Sequence, residues 1–219
     1  KPDLWSPETP VLYTARTRLF ADGKEVDSYD TRFGIRTIEY RPDEGFFLNG
    51  RPTKFRGVCN HHDLGPLGAA VNESALRHQL ELLKDMGVNA IRTSHNVPAP
   101  ELVRLCDEMG LMMMVESFDD WGFRPKSLNG YGSIFNEWAE RDMVNMVRQF
   151  RNNPSVVMWS IGNEVPSQWG PDGISELTFL QDIVHREDPT RPVTCGMDQI
   201  GAVLDNGFAA ALDIPGFNY

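Results

Sequence analysis

Polar and apolar side chains alternate along the first 40 residues, with the two-residue period that β-strands produce. The run from Leu12 onward, LYTARTRLF, is followed by ADGKE, with turn residues Asp22 and Gly23, and then by VDSYDTRFGIRTIEY. Two alternating runs joined by an Asp-Gly turn predict a β-hairpin over about residues 12–39. A sandwich domain occupies roughly 100 residues, so we expect residues 1–42 to be the last strands of a β-sandwich that begins upstream.

From about Phe46 the spacing of apolar residues lengthens to three and four, which is typical of amphipathic helices. Four such stripes occur: Leu76/Leu80/Leu83/Met86, Leu102/Leu105/Cys106/Met109, Met143/Val147/Phe150 and Leu177/Leu180/Ile183/Val184. Short apolar runs lie between and around them, and they predict six strands: KFRGVC, VNAIR, LMMMVE, VVMWSI, PVTCG and ALDIPGF. Strands that alternate with helices imply a parallel sheet with right-handed crossovers.

The polar residues at the strand ends distinguish an open doubly wound sheet from a closed barrel. An open sheet usually carries GxGxxG after its first strand, whereas this chain has RGVCNHHDLGPLG. Almost every strand ends in polar groups instead, namely Asn60/His61/His62, Arg92/Ser94/His95, Glu116, Asn163/Glu164 and Asn218/Tyr219. A barrel brings such ends to one rim. The sequence therefore predicts an α/β fold class, as a partial TIM (β/α)8 barrel over residues 43–219 that reaches its sixth strand.

The composition of the chain argues against two classes of partner, nucleic acids and membranes. The 219 residues carry a formal charge of −10, and Lys and Arg do not cluster, which argues against nucleic acid as a partner. No apolar run approaches the roughly 20 residues of a membrane span, so no membrane partner is expected. The opening KPDLWSPETP does not resemble a signal peptide, and the sequence leaves the periplasm, the extracellular space and the cytoplasm all open.

The cysteine pattern indicates neither a disulfide framework nor a zinc site. Cys59, Cys106 and Cys195 are odd in number, far apart and set in apolar segments. We predict that all three are reduced core residues. A metal site on the adjacent His61 and His62 is not expected either, because neighbouring strand residues point to opposite faces.

The segment WSIGNEVPS places an amide, Asn163, beside a carboxyl, Glu164, at the end of an apolar strand. In a barrel this carboxyl emerges at the mouth, where a proton donor for acid–base catalysis is needed. A glutamate that caps the next helix or pairs with an arginine is the simpler alternative. We favour the catalytic interpretation, because Asn163 is adjacent and the other strand ends are also polar.

Four ordered motifs resemble glycoside hydrolase family 2, the family of β-galactosidases, β-glucuronidases and β-mannosidases. They are RFGIRTIE, RGVCNHHD, IRTSHNVP and WSIGNE, and the resemblance runs through nearly the whole chain. It implies an immunoglobulin-like β-sandwich followed by a TIM barrel, in agreement with the pattern above. It also implies a retaining exo-glycosidase, in which one carboxyl protonates the leaving oxygen and another attacks the anomeric carbon.

The resemblance also assigns roles at the first, second and fourth strand ends. It places the acid/base on Glu164, and it gives Asn163 a hydrogen bond to the sugar 2-hydroxyl. His61 and His95 match histidines that line the sugar subsite, and Arg92 matches an arginine that positions the acidic groups. A core or rim residue satisfied by a backbone bond is the alternative for each of these three.

The third strand end, ESFDDWGFRP, carries further candidates. Glu116 is expected to hold Arg92 or to contact a sugar hydroxyl, and a structural ion pair is an equal alternative. Trp121 is a candidate stacking platform and Asp120 a hydroxyl acceptor, although a loop tryptophan is as often a packing residue. Some β-galactosidases of the family bind magnesium through a Glu and a His shortly after this strand. Because the segment has no histidine, we expect no metal cofactor, and magnesium is the alternative that the resemblance leaves open.

Tyr219 ends DIPGFNY, which resembles the sixth strand of the family, where a tyrosine commonly hydrogen-bonds the nucleophile. The family's nucleophile, a glutamate on the seventh strand, matches nothing in this sequence. Since the mechanism needs two carboxyls about 5–5.5 Å apart, this chain alone is expected to be inactive.

The function expected of the whole protein is hydrolysis of terminal β-linked sugars, with a glycoside or oligosaccharide as the substrate. RGVCNHHDLGPLG and SHNVP most resemble a β-galactosidase. A β-glucuronidase, a β-mannosidase and a catalytically silent carbohydrate-binding module are the alternatives. The sequence does not indicate an oligomeric state.

Overall fold

The hairpin predicted at the start of the chain is present in the computed structural model, which describes residues 1–219. Strands β1 (Tyr13–Ala21) and β2 (Lys24–Phe33) pair antiparallel. The turn between them uses positive φ angles at Asp22 (50°) and Gly23 (77°), the combination that a tight hairpin turn requires. The hairpin is confirmed, and the sandwich domain to which we assign it stays a prediction.

A small antiparallel sheet follows, which the sequence analysis did not predict. It consists of β3 (Ile38–Arg41), β4 (Gly45–Leu48) and β5 (Arg51–Pro52). Three consecutive apolar residues of β4, ending at Leu48, are buried, so the strand lacks the alternation by which half-buried strands are recognised. The boundary we set at residue 42 therefore falls inside this sheet.

The main sheet confirms the predicted partial barrel. Its six strands pair parallel in chain order, and they are β6 (Gly57–His61), β7 (Ala90–Ser94), β8 (Met112–Glu116), β9 (Val156–Asn163), β10 (Val193–Met197) and β11 (Gly216–Phe217). Because all strands run the same way, their carboxyl ends form one rim. The sixth strand is only two residues long, shorter than the predicted ALDIPGF.

Each of the four apolar stripes forms a helix. The helices are α1 (Glu73–Asp85), α2 (Pro100–Met109), α3 (Phe135–Phe150) and α4 (Gly173–Glu187), and a short α5 (Ile200–Asp205) was not predicted. The side chain of Asn72 caps α1 by accepting the Ala75 N–H at 3.0 Å. None of the helices combines enough length with enough hydrophobicity to cross a lipid bilayer.

Two apolar clusters hold the fold together. The larger one has 33 buried residues and lies mainly between the sheet and its covering helices. The smaller one has six, and it joins the N-terminal segment and β4 to the amino ends of the barrel strands: Trp5, Phe46, Leu48, Ala90, Met112 and Val157. Trp5 is fully buried, and its Nε1 donates to Asp107 O at 2.8 Å. The segment before the barrel therefore closes the barrel's lower end.

Hydrogen bonds to the start of β9 reinforce this closure. The guanidinium of Arg36 donates to Pro154 O (3.0 Å) and Val156 O (2.7 Å), and Arg191 donates to the same Val156 carbonyl (2.7 Å). Burial, followed by repulsion from Arg191, lowers the pKa of Arg36 to about 10. The linking segment is thus anchored by a half-buried cation on backbone carbonyls.

The structure corrects one of the three cysteine predictions. Cys106 and Cys195 are buried, and burial raises the pKa of both thiols, so they are inert core residues. Cys59 is exposed. It lies on β6, an edge strand of the sheet, where apolar neighbours in sequence do not guarantee cover on both faces.

Trp5→Ala is expected to lower the free energy of unfolding by about 3–5 kcal/mol, because it empties a fully buried site and removes the hydrogen bond to Asp107. Urea denaturation of the purified chain measures the loss. Trp138→Ala is the matched control, since Trp138 is an exposed tryptophan on α3 and its removal should cost less than about 1 kcal/mol. Equal losses in the two variants would contradict the closing role of Trp5.

Candidate active site

Glu164 lies at the carboxyl rim of the sheet, directly after β9. Its backbone occupies the left-handed region (φ 49°), which is uncommon for a residue with a side chain and is often associated with functional sites. Its N–H donates to Gly196 O at 2.7 Å, and its carboxylate Oε1 accepts from Asn218 Nδ2 at 2.8 Å. The residue is half-buried; its backbone is bonded to β10 and its carboxylate to Asn218, which follows β11.

Asn163 is held in one orientation by its amide oxygen. Asn163 Oδ1 accepts from Arg92 Nη2 and from Asn218 Nδ2, both at 2.8 Å. Since two donors occupy the oxygen, the Nδ2 group is the end left to donate to a ligand. Asn218 Nδ2 also reaches Glu164, so one amide positions both members of the Asn-Glu pair.

Glu116 lies behind the pair and is fully buried. Its Oε2 accepts from Arg92 Nε at 2.7 Å and from Ser160 Oγ at 2.6 Å, while Oε1 lies 2.6 Å from His95 Nδ1. Every contact of this carboxylate is with the protein. Of the two roles proposed for Glu116, the structure therefore favours the support of Arg92 over contact with a sugar hydroxyl.

The charges in this network balance. Burial by itself lowers the pKa of Arg92, but the charge and the hydrogen bond of Glu116 outweigh it, with a smaller contribution from Cys59, so the pKa is raised. His95 Nδ1 donates to a carboxylate, which leaves Nε2 available to a ligand. A permanently charged guanidinium and a fixed imidazole thus flank the Asn-Glu pair.

The two adjacent histidines at the end of β6 diverge; His61 is the last residue of the strand and His62 follows it. The ring of His61 lies edge-on to His95, with centroids 5.2 Å apart. His62 turns away and places Nε2 2.9 Å from Ala69 O. The structure therefore brings His61, and not His62, to the rim beside His95.

Three residues of the site were missed by sequence reasoning. Asn218 was recognised only as a polar strand end, and Lys126, whose Nζ lies 2.6 Å from Asn163 O, sits in a loop with no motif. Gly196 on β10 leaves no room for a side chain, because a Cβ there would lie 2.8 Å from Arg92 Nη2 and 3.0 Å from Asn163 Oδ1. A glycine inside a strand can indicate such a close approach, and it was the only signal available.

The stacking role predicted for Trp121 is wrong. The residue is fully buried, its Nε1 donates to Ile161 O at 3.0 Å, and its ring fills the space above Gly162. Asp120 is also buried, and its carboxylate accepts the backbone N–H groups of Lys126 (2.9 Å) and Gly132 (3.1 Å). Both residues shape the loop from within, because an indole and a carboxylate with internal partners have no surface left for a sugar.

Tyr219 is exposed and lies beside Glu164. Interaction with the neighbouring Glu164 carboxylate raises the pKa of the Tyr219 phenol. Tyr219, the last of the predicted site residues, thus lies near the Glu164 carboxyl. Its proposed role toward a nucleophile stays a prediction.

The segment after β8 does not offer a magnesium site. Magnesium needs several oxygen ligands with free lone pairs. Asp120 is used by backbone N–H groups, and the Asp119 carboxylate lies 3.4 Å from Lys126 Nζ. No group of three or more His, Cys, Asp or Glu side chains is arranged to hold a metal ion. The residues present therefore do not fit the family's magnesium.

Comparison with known families gives two matches. The profile described as "Glycosyl hydrolases family 2, TIM barrel domain" matches residues 40–211, and the one described as "Glycosyl hydrolases family 2" matches residues 1–36. The first match alone covers most of the chain.

Individual relatives agree with this family match. The chain is 42% identical to the β-galactosidase BoGH2A of Bacteroides ovatus, over 100% of this chain and 29% of that protein. It is 33% identical to a β-glucuronidase of Bacteroides fragilis, over 92% of this chain and 29% of that protein. A glycosyl hydrolase family 2 member from Bacteroides cellulosilyticus superposes with a TM-score of 0.94 at 40% identity, covering 100% of this chain and 28% of that one. The chain spans less than a third of the length of these relatives.

Glu116→Gln is expected to lower the free energy of unfolding by about 3 kcal/mol, because it leaves the Arg92 guanidinium partly buried without its counter-charge. Urea denaturation measures the change. The control is Glu44→Gln, which removes a carboxylate from an exposed ion pair with Arg41 and should change stability little. A Glu116→Gln variant as stable as this control would show that the buried pair does not support the rim.

Proposed function

The chain belongs to glycosyl hydrolase family 2, and on that premise we propose that the whole protein is a retaining exo-β-glycosidase with Glu164 as its acid/base. The observation that carries the proposal is the contact of Asn218 Nδ2 with both Asn163 Oδ1 and Glu164 Oε1, each at 2.8 Å, at the carboxyl end of β9. A carboxyl held at the rim beside an oriented amide suits a proton transfer to a bound sugar.

In the first step, the protonated Glu164 carboxyl donates its proton to the glycosidic oxygen as the bond from that oxygen to the anomeric carbon breaks and a second, nucleophilic carboxylate bonds to the carbon. The Nδ2 group of Asn163 donates to the 2-hydroxyl, an interaction that strengthens as the ring approaches an oxocarbenium ion. In the second step, the Glu164 carboxylate takes a proton from the water that releases the sugar. Arg92 and His95 hold this end of the site in place through Glu116.

Double displacement also needs a nucleophilic carboxylate about 5–5.5 Å from the acid/base. We propose that a part of the whole protein outside this chain supplies it. The relatives are more than three times as long as the region they share with this chain, which leaves room for that residue.

A β-galactoside is the proposed substrate. The β-galactosidase of Bacteroides ovatus matches this chain over its whole length, which supports that choice. The β-glucuronidase relatives favour a β-glucuronide as the alternative. A silent carbohydrate-binding module is disfavoured, because such a module would not need a carboxyl that the Asn218 amide and a left-handed backbone hold at the rim.

Glu164→Gln in the whole protein is expected to lower kcat/KM by about 10²–10⁴-fold on substrates whose leaving group needs a proton. Activity should be much better retained on substrates with acidic phenol leaving groups. Chromogenic β-galactoside, β-glucuronide and β-mannoside substrates measure turnover and assign the sugar. Glu81→Gln, an exposed carboxyl on α1, is the control. Full activity of Glu164→Gln, or no cleavage of any β-glycoside by the unmodified protein, would refute the catalytic proposal.

Gly196→Ala in the whole protein is expected to lower kcat/KM by about tenfold or more, because the added Cβ displaces the groups that orient Asn163. Gly201→Ala is the matched control, since Gly201 lies on α5 with no atom within 4 Å of the added Cβ. Steady-state kinetics and a thermal melt of both variants separate loss of activity from loss of folding. Equal activity in the two variants would mean that Asn163 tolerates displacement.

A further inference from the structure

An aromatic group lies on the same rim as Glu164, and none of the roles above uses it. Phe123 and Arg124 belong to the loop after β8, and Trp169 ends the short 3-10 helix Pro166–Trp169 after β9. Trp169 follows Glu164 by only five residues, so the two Cα atoms lie within about 12 Å of each other. The group therefore borders the proposed acid/base.

The helix that carries Trp169 is firmly anchored. Gln168 is buried, and its Oε1 accepts the N–H groups of Asp198 and Gln199, both at 3.2 Å, while its Nε2 donates to Asp198 Oδ1 at 2.6 Å. Asn206 Nδ2 donates to the Gln168 carbonyl at 2.9 Å. Against this fixed base, Trp169 keeps 43% of its accessible surface.

The rings are arranged in a defined geometry. Phe123 meets Trp169 edge to face, with centroids 5.5 Å apart and an interplanar angle of 85°. This approach depends on Gly170, because a Cβ there would lie 2.5 Å from the Phe123 ring. The exposed indole is thus braced from the side, as a preformed surface requires.

Arg124 adds a charge without a protein acceptor. Its guanidinium carbon lies 5.3 Å from the centroids of both rings, and its backbone has a φ of 47°. Arg124 forms neither an ion pair nor a side-chain hydrogen bond, in contrast to Lys126 nearby, which contacts Asp119 and Asn163. Its N–H donors are therefore free for a ligand.

We propose that Trp169, Phe123 and Arg124 form the subsite for the leaving group, and that its ligand is the saccharide released from a β-linked oligosaccharide. The proposal rests on the proposed function, since only a glycosidic substrate has such a leaving group. A sugar presents C–H groups on a ring face and hydroxyls around the edge. The indole packs against the C–H face, and the guanidinium donates to the hydroxyls.

The position relative to Glu164 selects the leaving group over the terminal sugar. In the proposed mechanism the terminal sugar binds at Asn163, which Arg92 orients. Trp169 lies in the segment that follows Glu164. Phe123 and Arg124 share the loop after β8 with Lys126, whose Nζ donates to Asn163 O at 2.6 Å. The acid/base stands between the two sugars that it separates, so the aromatic group borders the departing one.

The test compares two substrates of the whole protein that share their terminal sugar. One is the β-linked disaccharide, and the other is the β-glycosyl fluoride, whose leaving group is a single atom. Trp169→Ala should lower the ratio of kcat/KM for the disaccharide to that for the fluoride by about five- to tenfold. Arg124→Gln should lower the same ratio by about threefold, through the loss of hydrogen bonds. The released saccharide should also inhibit both variants less strongly.

Trp138→Ala is the matched control, because Trp138 is 39% exposed and its ring centroid lies 5.3 Å from the guanidinium carbon of Arg141. Trp138 lies on α3, outside the proposed subsite. Its ratio should equal that of the unmodified protein. If the unmodified protein cleaves the fluoride and Trp169→Ala leaves the ratio unchanged, the subsite is wrong and the proposed function stands. If neither substrate is cleaved, both proposals are overturned. Should Trp169→Ala fail to fold, the exposed Arg124→Gln decides.

Discussion

The buried ion pair between Arg92 and Glu116 is the interaction on which the rim of this barrel depends. Glu116 is inaccessible to solvent, and a carboxylate in that position is tolerated only with full compensation. Arg92, His95 and Ser160 supply it. The Nη2 group of Arg92 then donates to Asn163 and fixes its amide. The orientation of the proposed sugar-binding amide is thus a consequence of how a buried charge is neutralised.

The two ends of the barrel are held by different interactions, apolar packing at the amino ends of the strands and polar contacts at the carboxyl ends. At the amino ends of the strands, Trp5 and Phe46 close the sheet with apolar surface, and Arg36 is bonded to backbone carbonyls. At the carboxyl ends, polar side chains from neighbouring strands satisfy one another and leave selected donors free. The amino ends are therefore closed by packing, whereas the carboxyl ends keep the groups that can contact a ligand.

In the loop after β8, buried side chains hold the backbone and thereby position the exposed side chains that can contact a ligand. Trp121 fills the space over Gly162, and Asp120 holds the backbone at Lys126 and Gly132. The residues that remain at the surface of the loop, Phe123 and Arg124, are thereby directed toward Trp169. In the proposed enzyme, the buried half of this loop supports the terminal-sugar site and the exposed half forms the leaving-group site.

The sequence by itself determined the hairpin, the four long helices, the parallel strands and the placement of Asn163, Glu164, His95 and Arg92 at strand ends, because these follow from local periodicity and parallel topology. It did not reveal β4, whose burial is continuous, or that Cys59 on an edge strand is exposed. Trp121 follows β8 and Trp169 ends the short 3-10 helix after β9, and only the tertiary structure decided that the first is core and the second is surface. The same holds for Gly196 and Asn218, whose importance lies in distances to side chains on other strands. Periodicity is a property of neighbours along the chain, whereas burial and close approach depend on residues far away in sequence.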